Sequence, residues 1–168
     1  MTANAAATDN PPAEPEFDVL IIGAGLSGLY QLYRVRELGL SARIIEAGSD
    51  VGGTWYWNRY PGARFDSESY TYGYSFSPEL LQEWNWSEHF APQPETLRYV
   101  GYVADKFDLR RDIVFKRRVV SAHWQEPSRA WLVTLDTGER ISTRFLITAI
   151  GALSAPTLPR IDGLDSFQ

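Results

Sequence analysis

Two groups of residues carry chemical potential by type and spacing. The first is Gly23-Ala24-Gly25-Leu26-Ser27-Gly28, a GxGxxG run followed eighteen residues later by Glu46. When such a run joins a strand to a helix, Gly23 makes the tight turn and Gly25 lets backbone N–H groups reach a pyrophosphate at the positive helix end. Gly28 then permits close packing of helix on strand. Glu46 is placed to accept hydrogen bonds from both ribose hydroxyls of an adenosine. A carboxylate there repels a 2′-phosphate, so this site favours FAD or NAD over NADP. The second group runs from Val51-Gly52-Gly53-Thr54-Trp55 to Arg64 and Asp66. Paired glycines let the backbone pass close to a bulky ligand, and a second nucleotide-contacting loop so soon after Glu46 favours FAD over NAD. Arg64 and Asp66 stand two apart, so an extended segment puts both on one face. The plainer reading of that pair is a salt bridge holding a loop.

The elements around these residues suit the roles. Phe17–Ile22 is a short apolar run ending at glycine, as expected of a strand buried on both faces. Leu26–Leu38 has apolar residues at 26, 29, 32, 33 and 35 before Gly39, which predicts a helix with a glycine cap. Ser41–Glu46 reads as the next strand, completing a βαβ unit. Residues 48–74 show no period but are dense in Gly, Trp, Tyr and Arg. Twelve aromatic residues fall between Trp55 and Phe90, a content that argues for an ordered functional segment. A short helix is predicted over 78–84 and a longer one over 94–108. Strands follow at 113–115, 119–124, 131–135 and 141–150, with a turn at Asp136-Thr137-Gly138. The fold class expected is α/β: a Rossmann-like FAD-binding βαβ domain with a small antiparallel β element. Residues 1–15 read as a flexible leader, 16–151 as the FAD-binding segment, and 152–168 as a linker toward an NADP-binding domain outside the chain.

Composition excludes several classes. The 168 residues contain no Cys, which removes disulfide frameworks, thiolate metal sites and Cys nucleophiles and fits a reducing, cytoplasmic setting. A net charge of -5 argues against broad nucleic-acid or anionic-membrane binding, and Lys116-Arg117-Arg118 reads as a solvated strand end. No Lys or Arg precedes Arg34, so the start lacks the positive region of a signal peptide, and no apolar run is long enough to span a bilayer. His89 and His123 stand alone without metal-ligand spacing, so no metal is expected. Ser27 sits in GLSGL, which fails the serine-hydrolase pattern.

Gly52-Gly53-Thr54-Trp55-Tyr56-Trp57-Asn58-Arg59-Tyr60-Pro61-Gly62-Ala63-Arg64-Phe65-Asp66 resembles the signature of type I Baeyer–Villiger monooxygenases, nearest to their phenylacetone and steroid monooxygenase branch. The resemblance covers nearly everything from Phe17 onward. It implies an FAD- and NADPH-dependent enzyme that uses O2 to insert oxygen beside a ketone carbonyl, giving an ester or lactone. Residues Gly151–Pro159 and Gly163 resemble the family's linker between its FAD and NADPH domains, and Phe167 matches the start of its F-x-G-x-x-x-H-x-x-x-W-P/D fingerprint. Ile150 departs from the small Thr or Ser that related flavoproteins carry before the glycine. By resemblance, Arg64 lies near NADP, and Asp66 is catalytic, sitting beside the flavin to orient an arginine supplied by the NADPH domain. Trp55, Trp57 and Tyr72 wall the flavin cavity, with core packing as the alternative for each. Val119 offers its backbone to the adenine. Trp84, Trp86 and Phe90 are assigned to packing. The cofactor-binding set is therefore Gly23, Gly25, Ser27, Gly28, Glu46, Gly53, Thr54, Trp55, Arg64, Asp66, Tyr72 and Val119. Activity is expected to need the family's NADP-binding and C-terminal parts. The other readings are a non-catalytic flavin-binding module and a sister flavin monooxygenase acting on amines or sulfides, against which the signature speaks.

Overall fold

The computed structural model describes residues 14–152, 154–155 and 157–166. Most of the expected leader, and Phe167, lie outside the described residues. The chain begins with β1 (Phe17–Ile22), α1 (Leu26–Glu37) and β2 (Ala42–Ile45). Val19 and Ile21 belong to one apolar cluster and Leu20 to another, so β1 is covered on both faces, and its run of apolar residues reflects that. In α1, Gly28, Leu29, Leu32 and Val35 are buried against the sheet, and Gly39 takes a positive φ of 71° where the helix ends.

The segment without sequence periodicity contains two single-turn helices, α2 (Thr54–Trp57) and α3 (Ser69–Tyr72). Then come α4 (Pro78–Glu83), capped by the Ser77 hydroxyl accepting from Leu80 N–H, and α5 (Gln93–Lys106). Strands β3 (Ile113–Val114), β4 (Val119–Gln125), β5 (Ala130–Leu135) and β6 (Arg140–Thr148) complete one six-stranded sheet in the order β3-β2-β1-β6-β5-β4.

Strands β3, β2, β1 and β6 run parallel, whereas β4, β5 and β6 form an antiparallel meander. Residues 140–143 of β6 pair with β5 and residues 143–148 pair with β1, so β6 passes from meander to parallel sheet at the buried Thr143. That hydroxyl bonds the carbonyls of Asp18 and Phe145 at the transition. On one face α1 and α5 pack against Val19, Ile21, Ala42, Ile44 and Ile113; on the other, Val133, Leu135 and Ile141 of the meander cover Leu20 and Ile45. The carboxyl ends of β1, β2 and β6 and the start of β4 are thereby brought to one place, the position where open parallel sheets bind ligands. Among the described residues no helix is long and apolar enough to cross a membrane.

Candidate functional site

A cleft of about 960 Å³ opens at these strand ends. Gly23, Gly25 and Ser27 line it from the β1–α1 turn, Glu46 from the end of β2, Gly53, Thr54, Trp55 and Trp57 from the next loop and α2, Tyr72 from α3, and Val119 from the start of β4. Gly28 does not line it: it lies beneath the turn, and an added Cβ would collide with the Gly23 carbonyl. No side chain caps α1 and its first turn carries no acidic residue. The unpaired N–H groups and positive end of a twelve-residue helix therefore face the cleft.

Glu46 is 5% exposed. Its Oε2 accepts from Ala24 N–H at 2.7 Å and its Oε1 from Gly48 N–H at 2.6 Å, which ties the acidic residue to the glycine turn. A carboxylate has about four lone-pair sites, so each oxygen keeps one for a ribose hydroxyl. The cradle is also the right shape for a pyrophosphate, because the backbone at Gly25 and Gly53 is unobstructed by any Cβ. These residues fit an FAD.

The aromatic part of the site is held by packing and hydrogen bonds together. Phe65 and Tyr72 stack at 4.2 Å and 10°, and Trp55 meets both rings edge-on. The Trp55 indole N–H donates to the Tyr72 hydroxyl at 2.8 Å. Burial pushes that hydroxyl above the ordinary tyrosine range; the indole donor opposes the shift and the charge of Asp66 adds to it. Sequence reasoning missed Gln93, which is buried at the start of α5. Its Nε2 donates to the Trp55 carbonyl at 2.5 Å and its N–H to the Ala63 carbonyl at 2.8 Å. A single polar residue at a helix start leaves no periodic signal.

Arg64 and Asp66 do not line the cleft. Both are exposed while Ala63 and Phe65 are buried, so the extended segment does put them on one face. Arg64 bonds Glu88 Oε2 at 3.0 Å and the Phe90 carbonyl at 2.9 Å, so its ion-pair partner is Glu88 rather than Asp66. Trp84 and Trp86 pack against the core, but Phe90, assigned to packing, is 39% exposed and abuts His89. Arg117 and Arg118, read from sequence as a solvated strand end, line the cleft. The cause is a turn: Lys116 takes φ 56° and its N–H reaches the Gly48 carbonyl, while Arg117 N–H reaches the Glu46 carbonyl.

Fold and cleft together define a Rossmann-like dinucleotide-binding domain, and a family described as an NAD(P)-binding Rossmann-like domain matches residues 21–84. The chain is 51% identical over 159 residues to 2-oxo-Delta(3)-4,5,5-trimethylcyclopentenylacetyl-CoA monooxygenase of Pseudomonas putida, covering 95% of this chain and 29% of that protein. It is 47% identical to a Baeyer–Villiger monooxygenase of Pseudooceanicola batsensis (91% and 28% covered) and 45% identical to phenazine N-monooxygenase PhzNO1 of Lysobacter antibioticus (90% and 28%). Among solved structures, oxidized steroid monooxygenase bound to NADP superposes with a TM-score of 0.84 at 58% identity, over 89% of this chain and 29% of that one. The OTEMO complex with FAD and NADP does so at 0.85 and 52%, over 92% and 29%. The chain is a homologue of the Baeyer–Villiger monooxygenases, matching their N-terminal part, and spans less than a third of the length of these relatives.

Proposed function

We propose that this chain is the FAD-holding segment of a Baeyer–Villiger monooxygenase that uses NADPH and O2 to convert a ketone into an ester or lactone. The observation that carries the reading is the single cleft on which the GxGxxG turn, Glu46 and the Gly53-Thr54-Trp55 loop converge, in a chain homologous to those enzymes. Residues 16–151 act as the FAD segment and 152–168 as the link onward. The absence of cysteine supports a cytoplasmic setting.

When bound, FAD supplies the activation of O2 by electrons taken from NADPH. The residues of this chain do the rest of the local work. The first-turn N–H groups of α1 hold the diphosphate, with Gly23, Gly25 and Ser27 leaving it room and Gly28 fixing the turn from below. Glu46 orients the ribose, and Val119 offers backbone groups to the adenine. Thr54, Trp55, Trp57 and Tyr72 enclose the ring system and exclude water. Asp66, exposed beside the Phe65–Tyr72 stack, is free to position a guanidinium supplied by another part of the enzyme. Arg64, exposed on the same face, is the residue that would meet NADP.

A second reading, N-oxidation of a heteroaromatic amine, is favoured by the phenazine N-monooxygenase relative, whose 45% identity stands beside 47% for the Baeyer–Villiger relative. The segment is thus similar to enzymes named for either reaction. Product analysis of a complete enzyme carrying this segment, supplied with NADPH, O2 and either ketones or phenazines, decides between them. Ester or lactone formation supports the first reading. N-oxide from phenazines with no ester from any ketone supports the second.

A further inference from the structure

A row of rings leads out of the cleft. Trp55, which lines it, meets Phe65 edge-on with ring centres 5.7 Å apart, and Phe65 meets Trp86 edge-on at 5.8 Å. Trp86 contacts Trp84 at 5.8 Å, and Trp84 contacts Tyr102 of α5 at 5.5 Å. Tyr102 donates its hydroxyl to Glu83, an exposed carboxylate that also accepts from Lys106 Nζ at 2.6 Å. Apolar packing accounts for rings in contact, but two polar details along the row do not serve it. The Trp84 indole N–H is buried without a hydrogen-bond partner among the described residues, and the outer end of the row is a phenol seated on a carboxylate.

We propose that this row is a one-electron relay that carries an oxidising equivalent from the cleft to Tyr102 at the surface. The proposal rests on the FAD reading above, which puts oxygen activation beside Trp55, and adds a protective function to it. The oxidant is an oxygen-derived radical left by an uncoupled turnover or, as a probe, a light-excited flavin. It gains one electron and Trp55 loses one. Trp86 refills Trp55 by tunnelling across Phe65, whose ring is too hard to oxidise to hold the charge. Trp84 then refills Trp86, and Tyr102 refills Trp84. An oxidised indole that keeps its N–H proton remains a strong oxidant, and Trp84 has no acceptor for that proton, so the oxidising equivalent is not trapped there. An oxidised phenol becomes stable only when its proton leaves. At Tyr102 the proton passes to Glu83 along the existing hydrogen bond, which leaves a neutral tyrosyl radical and a carboxylic acid. A thiol from solution then gives the tyrosyl a hydrogen atom, becoming a thiyl radical, and Glu83 returns its proton to water. Tyr99 touches Trp84 and Trp86 at 5.2 and 5.0 Å, but its hydroxyl accepts from Tyr74 N–H and bonds no described carboxylate, so the relay does not end there.

The test is laser-flash excitation of the flavin-loaded chain as wild type, Tyr102→Phe, Glu83→Gln and Trp84→Phe, read by transient absorption and electron paramagnetic resonance. Tyr102 and Glu83 reach solvent, so their variants should keep the wild-type melting temperature, and they carry the test if Trp84→Phe folds poorly. The wild type should show an indole radical giving way to a tyrosyl radical. Tyr102→Phe should stop at the indole radical and lose the tyrosyl signal. Trp84→Phe keeps a ring in place but not an oxidisable one, and should lose it too. Glu83→Gln removes the proton acceptor and should slow tyrosyl formation on the order of a hundredfold. A tyrosyl signal in Tyr102→Phe as large as in the wild type, or none in a wild type that holds its flavin, overturns the relay and leaves the FAD reading standing. Wild-type kinetics in Glu83→Gln overturn the proton step. A wild type that retains no flavin overturns the FAD reading, and with it the entry of the relay at Trp55.

Discussion

Gly25 and Gly53 meet backbone to backbone at the cleft: a Cβ placed on Gly53 would fall 2.7 Å from the Gly25 Cα, and one on Gly25 would fall 3.3 Å from the Gly53 Cα. The two glycine motifs, 28 residues apart in sequence, thus form one wall. Gly53 also has φ 54° and ψ -120°, which a side chain tolerates poorly, whereas Gly25 is at φ -80°. Gly53→Ala should therefore destabilise the fold by roughly 1–3 kcal/mol more than Gly25→Ala. Thermal unfolding measures it, and equal melting temperatures for the two variants would contradict the contact.

The carboxylate of Glu46 joins β2 to the glycine turn as well as offering itself to a ribose. Glu46→Ala leaves the Ala24 and Gly48 N–H groups without their acceptor, at roughly 1–3 kcal/mol for each group left unsatisfied. The variant should lose both stability and FAD affinity, while FMN affinity, corrected for the folded fraction, stays near wild type. Denaturant unfolding and flavin titration separate the two effects. FAD affinity at the wild-type level in the folded variant would return Glu46 to a purely structural role.

How far the sequence reveals these contacts depends on their range. The β1–α1–β2 unit was readable because a buried apolar run, a glycine turn and helical spacing are all local signals. The predicted long helix over 94–108 occupies Gln93–Lys106, since Pro94 seats in its first turn. Residues 48–74 were not readable as structure because their order comes from the Trp55, Phe65 and Tyr72 rings packing on one another, which has no period. The Lys116–Arg118 run is a solvent-reaching strand end as expected, but its sequence does not show that Arg117 and Arg118 also line the cleft, because a charge run looks the same wherever the strand end faces. Only the Lys116 turn and its bond to Gly48 decide. The bend of β6 at Thr143 is likewise a matter of strand order, which local patterning does not encode.

Tyr99 is almost fully buried and its hydroxyl accepts from Tyr74 N–H at 2.7 Å. Burial pushes its phenol up to about 12, with the Tyr74 donor opposing the shift. A phenol whose folded value lies above its unfolded value of about 10 contributes stability that is complete below that value and is lost as pH rises through the folded one. Stability should therefore fall between about pH 10 and 12, and Tyr99→Phe should flatten that fall at the cost of the hydrogen bond to Tyr74. Chemical denaturation as a function of pH reads it. An unaltered pH slope in Tyr99→Phe would assign the alkaline loss to other groups.

Asp66 is exposed and makes no ion pair with Arg64, so it is available to a partner from outside this segment. In a complete enzyme carrying the segment, Asp66→Ala should leave FAD bound yet slow NADPH-driven flavin reduction and lower ester yield. Asp66→Glu should be nearly as poor, because an ångström-scale displacement of a positioning group costs on the order of a hundredfold. Stopped-flow reduction at the wild-type rate in both variants would leave Asp66 as a surface residue.

The central claim is that one dinucleotide flavin lies along the cleft from the start of α1 to Glu46, and a crystal structure of the chain with FAD tests it most directly. The diphosphate is expected within hydrogen-bond distance of the N–H groups at the start of α1, both ribose hydroxyls on Glu46 and the flavin ring toward Trp55 and Tyr72. A diphosphate away from the Gly23–Gly28 turn, or an adenosine remote from Glu46, would contradict it.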